Sequence, residues 1–276
     1  MAMVMAVSVA CGDDDGDSGG QIGGTLILAT TTSTLDSGLL DVLGPMFTEE
    51  TGIEFKPIAV GTGAALEMAR TGDADAVLVH APASEKEYVD SGDLVEGALV
   101  MHNDFVIVGP ADDPAGVKDA AGLDAAMAAM GAGTVVSRGD DSGTHKKELA
   151  LWKAAGIETA AVANYVESGQ GMGATLNIAN ERRAYTLADR ATFLALSKDL
   201  GLEIVFEGAA PLLNIYHVYV VNPEKHSGVH LEQARAWAAF LVSEGTQEVI
   251  GTFGTEEFGQ ALFVPDAGKS EASLGN

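Results

Sequence analysis

The chain has 276 residues, of which 40 are acidic and 15 basic, for a net charge of −25. A surface this acidic repels nucleic acid and anionic membranes, since both require a basic footprint. The one cysteine, Cys11, leaves no disulfide framework and no cysteine metal cluster, while the length suits one large domain or two lobes.

Met1 to Ala10 is a short apolar run ending in small residues directly before Cys11, and Gly12 to Gly24 is a glycine- and aspartate-rich tether. The pattern matches the end of a lipoprotein signal peptide, with cleavage before Cys11 and lipid attached to it, although no Lys or Arg opens the segment. Thr25 to Thr30 then reads as a buried strand, and Thr31-Thr32-Ser33-Thr34 leads into a helix from Leu35 to Thr51 that Gly52 stops. Ile53 to Val60 is a second strand, and Gly61-Thr62-Gly63 opens a helix from Ala64 to Arg70. Ala76 to His80 is a strand, a helix follows near Ser84 to Asp90, and Ala98 to Val108 is a long extended run closed by Gly109-Pro110.

An alanine- and methionine-rich helix is expected from Val117 to Met130. After it, the strand around Val135-Val136 runs through Ser137-Arg138-Gly139-Asp140-Asp141 into a helix from Ser142 to Ala155. Ala161 to Glu167 reads as a strand, Ser168-Gly169-Gln170-Gly171-Met172-Gly173 as a turn, and Ala174 to Glu181 as the helix it starts. A further strand and helix follow at Ala184 to Leu187 and Asp189 to Leu196. Strands at Glu203 to Phe206 and Ile215 to Val221 precede helices at Val229 to Ser243 and Thr246 to Phe253. Strands alternating with helices imply a parallel-rich α/β protein.

Four strand-to-helix turns carry Thr, Ser or Gly, two early in the chain and two in the middle. The first N–H groups of a helix lack intrahelical partners and sit at the positive end of its dipole, so each such turn suits an anion. Ligands of open α/β sheets lie off the carboxyl ends of the strands, so the four can converge only across a cleft between two facing sheets. The expected division is 25–106 with 215–264 as one lobe, 107–214 as the other, 1–24 as signal and tether, and 265–276 as a tail. Arg138 adds a planar fork of donors to the third turn. The plainer reading of that turn is a helix cap at Asp141 or Ser142 beside a surface ion pair.

Enzyme chemistry finds little support. Asp141, Ser142 and His145 are too close in sequence for a triad, whose members converge from separate elements, and there is no G-x-S-x-G elbow. Of the six histidines only His226 and His230 have helical spacing, without H-E-x-x-H, so exposure is expected for both. Gly169-Gln170-Gly171-Met172-Gly173 is neither a P-loop nor a dinucleotide fingerprint. Arg182 and Arg183 fit compensation of a helix dipole. Asp140 or Asp141 could orient Arg138 from behind; a carboxylate inside the cavity would instead favour a protonated anion such as phosphate.

Thr30 to Thr34, Gly61-Thr62-Gly63, Ser137 to His145 and Glu167 to Met172, with Tyr185 to Arg190 and Asn214-Ile215-Tyr216, together resemble the tungstate-binding proteins of bacterial ABC importers. The resemblance runs from about Gly24 to Val264. It implies a two-lobed periplasmic-binding-protein fold of type II that closes on a tetrahedral oxyanion outside the cytoplasm and delivers it to permease and ATPase subunits. It implies no catalysis and no cofactor, and a tungsten bound as oxyanion rather than as a cation. Thr31, Thr32, Ser33, Thr62, Gly63, Arg138, Thr144, Gly171 and Met172 would then supply the donors. Molybdate or phosphate binding, or an anion sensor, are the alternatives; a monomer, attached to the membrane only through a lipid on Cys11, is the expected state.

Overall fold

The computed structural model describes residues 22–274; Cys11, with the signal and tether expected around it, lies outside them. In chain order the strands are β1 (Thr25–Thr31), β2 (Glu54–Val60), β3 (Ala76–Val79), β4 (Leu94–Pro110), β5 (Thr134–Ser137), β6 (Asn164–Glu167), β7 (Thr186–Asp189), β8 (Leu202–Phe206), β9 (Leu213–Val221) and β10 (Val264–Pro265). The helices are α1 (Thr32–Asp36), α2 (Leu39–Thr51), α3 (Thr62–Thr71), α4 (Pro82–Asp90), α5 (Leu123–Ala132), α6 (Gly143–Ala154), α7 (Met172–Arg182), α8 (Arg190–Leu196), α9 (Leu231–Leu241), α10 (Glu244–Thr252) and α11 (Thr255–Phe258).

The first sheet runs β10-β4-β9-β3-β1-β2. Its strands β2, β1 and β3 are parallel, whereas β9 is antiparallel to both β3 and β4. Alternate residues of β1 feed two cores, as the two-residue period of a strand dictates. Leu26 and Leu28 join Leu39, Leu43 and Phe47 of α2 and Trp237 and Phe240 of α9. Ala29, with Ile27 packed beside it, faces Ala65, Leu66 and Ala69 of α3. The Phe47 and Trp237 rings meet edge to face at 5.1 Å, and truncating a fully buried Leu28 in such a core costs about 2–5 kcal/mol.

β4 ties this sheet to the rest of the molecule. Its first part, Leu94 to Asp104, pairs with β9, and its second part, Phe105 to Pro110, pairs with β7 and β8. β5 and β6 form a parallel pair, bridged to Tyr185 just before β7. The second half has its own two cores by the same alternation: Phe105 and Ile107 pack with Val135 and Trp152, Val106 and Val108 with Val136 and Leu176.

Three elements differ from the sequence reading. The expected helix Leu35 to Thr51 is two helices, because Gly38 turns left-handed at φ +80 between them. The run Val117 to Met130 is a single 3-10 turn at Val117–Asp119 followed by α5. After the last two expected helices the chain adds a strand that the sequence reading did not contain, β10, two residues on the edge of β4.

Candidate functional site

The four turns identified in the sequence meet between the two halves. At the end of β1, Thr31 is the extended residue that opens α1, and its hydroxyl lies 2.7 Å from Thr34 Oγ1 and 3.2 Å from Ser33 Oγ. At the end of β2, Thr62 is fully buried, and its Oγ1 accepts the N–H of Gly143 from the other half at 2.8 Å. At the end of β5, Ser142 caps α6 by accepting the His145 N–H at 3.1 Å. At the end of β6, Gly171 precedes Met172, the first residue of α7.

Arg138 sits at the centre with 2% of its surface exposed. Its guanidinium donates to the Asp140 carboxylate, to Thr32 Oγ1 at 3.1 Å and to the Gln170 carbonyl at 3.3 Å, so one side chain links the first, third and fourth turns. Asp140 is occupied from both oxygens, because its Oδ1 also accepts the Ser142 N–H at 3.2 Å. Asp141 adopts φ +58, is mostly exposed, and pairs with Lys146 at 3.3 Å. Asp140 therefore orients Arg138 and Asp141 faces solvent.

Glycine is required at one close approach: Gly139 has φ +60, and a Cβ there would lie 2.5 Å from the Cβ of Glu167. A Cβ on Gly63 would lie 2.5 Å from Asp141 Oδ2, the end of an exposed side chain that can swing aside. Gly171 is looser, with Thr32 Oγ1 3.4 Å from the corresponding position. Thr144 is fully buried, and its Oγ1 has no hydrogen-bond partner among the described residues.

The hydroxyls share a feature that bears on what they recognise. A hydroxyl has one proton to give and two lone pairs with which to accept. Arg138 occupies a lone pair of Thr32, and the Gly143 N–H occupies one of Thr62. Donors fixed in this way leave both hydroxyl protons free to point elsewhere. The first two turns thus offer protons to an acceptor-only guest, and the buried guanidinium supplies a positive charge in a low-dielectric setting where it is felt strongly.

Several residues at this junction carried no role in the sequence reading. Asp36 is half-buried and accepts the Gly173 N–H at 3.3 Å; burial raises its pKa. Asp189 is fully buried at the end of β7, and burial pushes it up to about 6. It caps α8 by accepting the Thr192 N–H at 2.9 Å, and Thr192 in turn donates to the Ser33 carbonyl at 3.1 Å. Lys147 reaches from α6 to the carbonyls of Pro211 and Leu213 at 2.9 and 3.1 Å. His80 is buried at the end of β3, and burial, aided by Arg138, lowers it to about 4. Its place at the carboxyl end of a parallel strand was the signal available for it. His230 is exposed, as expected, with its Nδ1 3.1 Å from Asp75, whereas His226 is only partly exposed and its Nε2 is buried. No group of three or more His, Cys, Asp or Glu side chains suited to a metal ion occurs among the described residues.

Known proteins carry the same fold and much of the same sequence. The PBP superfamily domain matches residues 15–245. The tungstate-binding protein TupA of Peptoclostridium acidaminophilum is 50% identical over 253 residues, which cover 90% of this chain and 88% of that protein. The crystal structure of the tungstate ABC transporter from Geobacter sulfurreducens is 44% identical with a TM-score of 0.77, covering 83% of this chain and 98% of that one. The tungstate-binding protein TupA from Desulfovibrio alaskensis G20 is 46% identical with a TM-score of 0.73, covering 89% and 100%. The chain belongs to the PBP superfamily and, within it, to the family of these tungstate-binding proteins, with their two-lobed type II fold and without enzymatic activity.

Proposed function

We propose, with that membership as premise, that this chain is the extracytoplasmic solute-binding component of an ABC importer, that it captures tungstate, and that it hands the anion to a membrane permease driven by an ATPase. The observation that carries the reading is the buried Arg138, which joins three turns and occupies a lone pair of Thr32. Tungstate at neutral pH is an unprotonated tetrahedral dianion, an acceptor only. Hydrogen phosphate brings a proton that needs an acceptor, and with Asp140 engaged and Asp141 facing solvent neither of those carboxylates provides one.

In this reading Thr31, Thr32, Ser33, Thr62 and Thr144 give their hydroxyl protons, Gly63, Gly171 and Met172 their N–H groups, and Arg138 the countercharge. Residues 25–106 and 215–264 act as one lobe and 107–214 as the other, joined through β4 and β9, and closure on the anion brings Thr62 to Gly143 and Thr32 to Arg138. No helix among the described residues is long and apolar enough to cross a membrane; attachment through a lipid on Cys11 and a monomeric state complete the proposal.

The test is retention of tungsten. Full-length protein dialysed against micromolar tungstate and then against buffer should hold one tungsten per chain by elemental mass spectrometry. No retained tungsten, alongside stoichiometric retention of another oxyanion, would overturn the assignment.

A further inference from the structure

Thr32 and Thr62 each receive a fixed N–H donor, one from Arg138 and one from Gly143. Thr31 and Ser33 stand beside them in the first turn, and the nitrogen that reaches both is Nε2 of His80, 3.0 Å from Thr31 Oγ1 and 3.2 Å from Ser33 Oγ. We infer that His80 is a positioning residue for anion recognition, a neutral imidazole that donates its Nε2–H to these two hydroxyl oxygens and so turns their protons toward the anion. The inference rests on the oxyanion reading of the site and deepens it.

Proton counting separates the two possible arrangements. A bare Nε2 has to accept a proton from Thr31 or Ser33, and the hydroxyl that gives it has none left for a ligand. With Nε2–H the ring donates, Thr34 can give its own proton to Thr31 across 2.7 Å, and the protons of Thr31 and Ser33 are both free. An acceptor-only dianion gains a charge-assisted hydrogen bond from the second arrangement that the first withholds. His80 then does for Thr31 and Ser33 what Arg138 and Gly143 do for Thr32 and Thr62.

The ring is built to hold one position. It is 4% exposed, its centroid lies 4.8 Å from that of Tyr216, and Phe105 flanks it at 6.3 Å. Gly143 crowds its edge, since a Cβ there would come within 3.0 Å of Cε1. Burial, with Arg138 and Lys147 both disfavouring a third positive charge, keeps the imidazole neutral at pH 7. Neutrality matters because the role needs a donor with a fixed direction rather than a second countercharge.

The experiment reads the tautomer and the affinity together. Long-range proton–nitrogen NMR on histidine-labelled full-length protein at pH 7.5, with the His80 signals assigned by their absence in His80→Gln, should show Nε2 protonated and Nδ1 bare, with and without tungstate. Titration with tungstate should find His80→Gln, whose amide retains a donor, within about fivefold of the parent, and His80→Leu weakened about tenfold or more with an unchanged circular dichroism spectrum. An Nδ1–H tautomer, an imidazolium, or a His80→Leu protein that binds like the parent would overturn the inference while leaving the site assignment standing. A parent that retains no tungstate would overturn the site assignment instead, and the tautomer in the unliganded protein would still decide the arrangement of the ring and its two hydroxyls.

Discussion

Replacing Arg138 by Gln removes the one guanidinium at the junction of the four turns. The loss can be sized from its surroundings. Two unit charges about 4 Å apart attract by about 4 kcal/mol at an effective dielectric of about 20, and a dianion doubles that gross figure. Desolvation of the guanidinium and its standing bond to Asp140 offset much of this. Removing one member of a buried, hydrogen-bonded charge pair costs about 2–5 kcal/mol, or about 30-fold to several-thousand-fold in affinity. Arg138→Gln should sit at the upper end, because it also strands the Asp140 carboxylate and ends the donation to Thr32 and Gln170. Arg138→Lys keeps the charge and loses the planar fork that reaches Asp140, Thr32 and Gln170 together, so a loss of about 10- to 100-fold is expected. Calorimetric titration with tungstate at fixed ionic strength, with circular dichroism to confirm the fold, measures both. An Arg138→Gln protein that binds within threefold of the parent would refute the reasoning and return Arg138 to a purely structural role.

Two further outcomes follow from the same geometry. Thr62→Val keeps the shape but removes both the hydroxyl proton and the acceptor for the Gly143 N–H; tungstate affinity should fall by about 1–3 kcal/mol in titration, and unchanged binding removes Thr62 from the site. Asp189 has its folded pKa raised by burial from 3.8 to about 6, so the folded state holds this proton more tightly than the unfolded chain does. Its contribution to stability is therefore greatest below about pH 4, declines as the pH rises to about 6, and is level above that, for a total on the order of 2–3 kcal/mol. Asp189→Asn keeps an oxygen for the Thr192 N–H and escapes this penalty. Denaturant melts should show it more stable relative to the parent at pH 7.5 than at pH 4; the opposite order would show that the charged carboxylate is compensated in the folded protein.

What the sequence made legible was local. A strand that runs into hydroxyls or glycines and then a helix announces itself within ten residues, as Thr25 to Thr34 and Val135 to Thr144 do, because strand period, cap chemistry and helix period are all short-range signals. The break between α1 and α2 was hidden by an apolar pattern that runs through Leu35, Leu39 and Leu43 without regard to the left-handed turn at Gly38. β10 was illegible for a different reason: Val264–Pro265 is a strand only because Met101 and His102 lie beside it. His80 reads in sequence as the polar end of a short strand and Asp189 as the first residue of a helix, and neither position by itself marks a site. What sets them apart is contact across long stretches of chain, His80 with Thr31 and Ser33, and Asp189 through Thr192 with the Ser33 carbonyl. Arg138 could be named from its motif, but its partnership with Thr32, more than a hundred residues earlier, could not.

The central claim is that the cleft recognises an unprotonated tetrahedral dianion through donors alone. Competitive calorimetry at pH 7.5 with tungstate, molybdate, sulfate and phosphate on the full-length protein tests it most directly. The account predicts one site per chain, with tungstate and molybdate displacing one another, sulfate weaker because it is smaller, and phosphate unable to compete at a hundredfold excess over tungstate. Phosphate that displaces tungstate at comparable concentration would contradict it, since the phosphate proton would then be taken by a hydroxyl lone pair or by the Asp36 or Asp189 carboxylate at the junction.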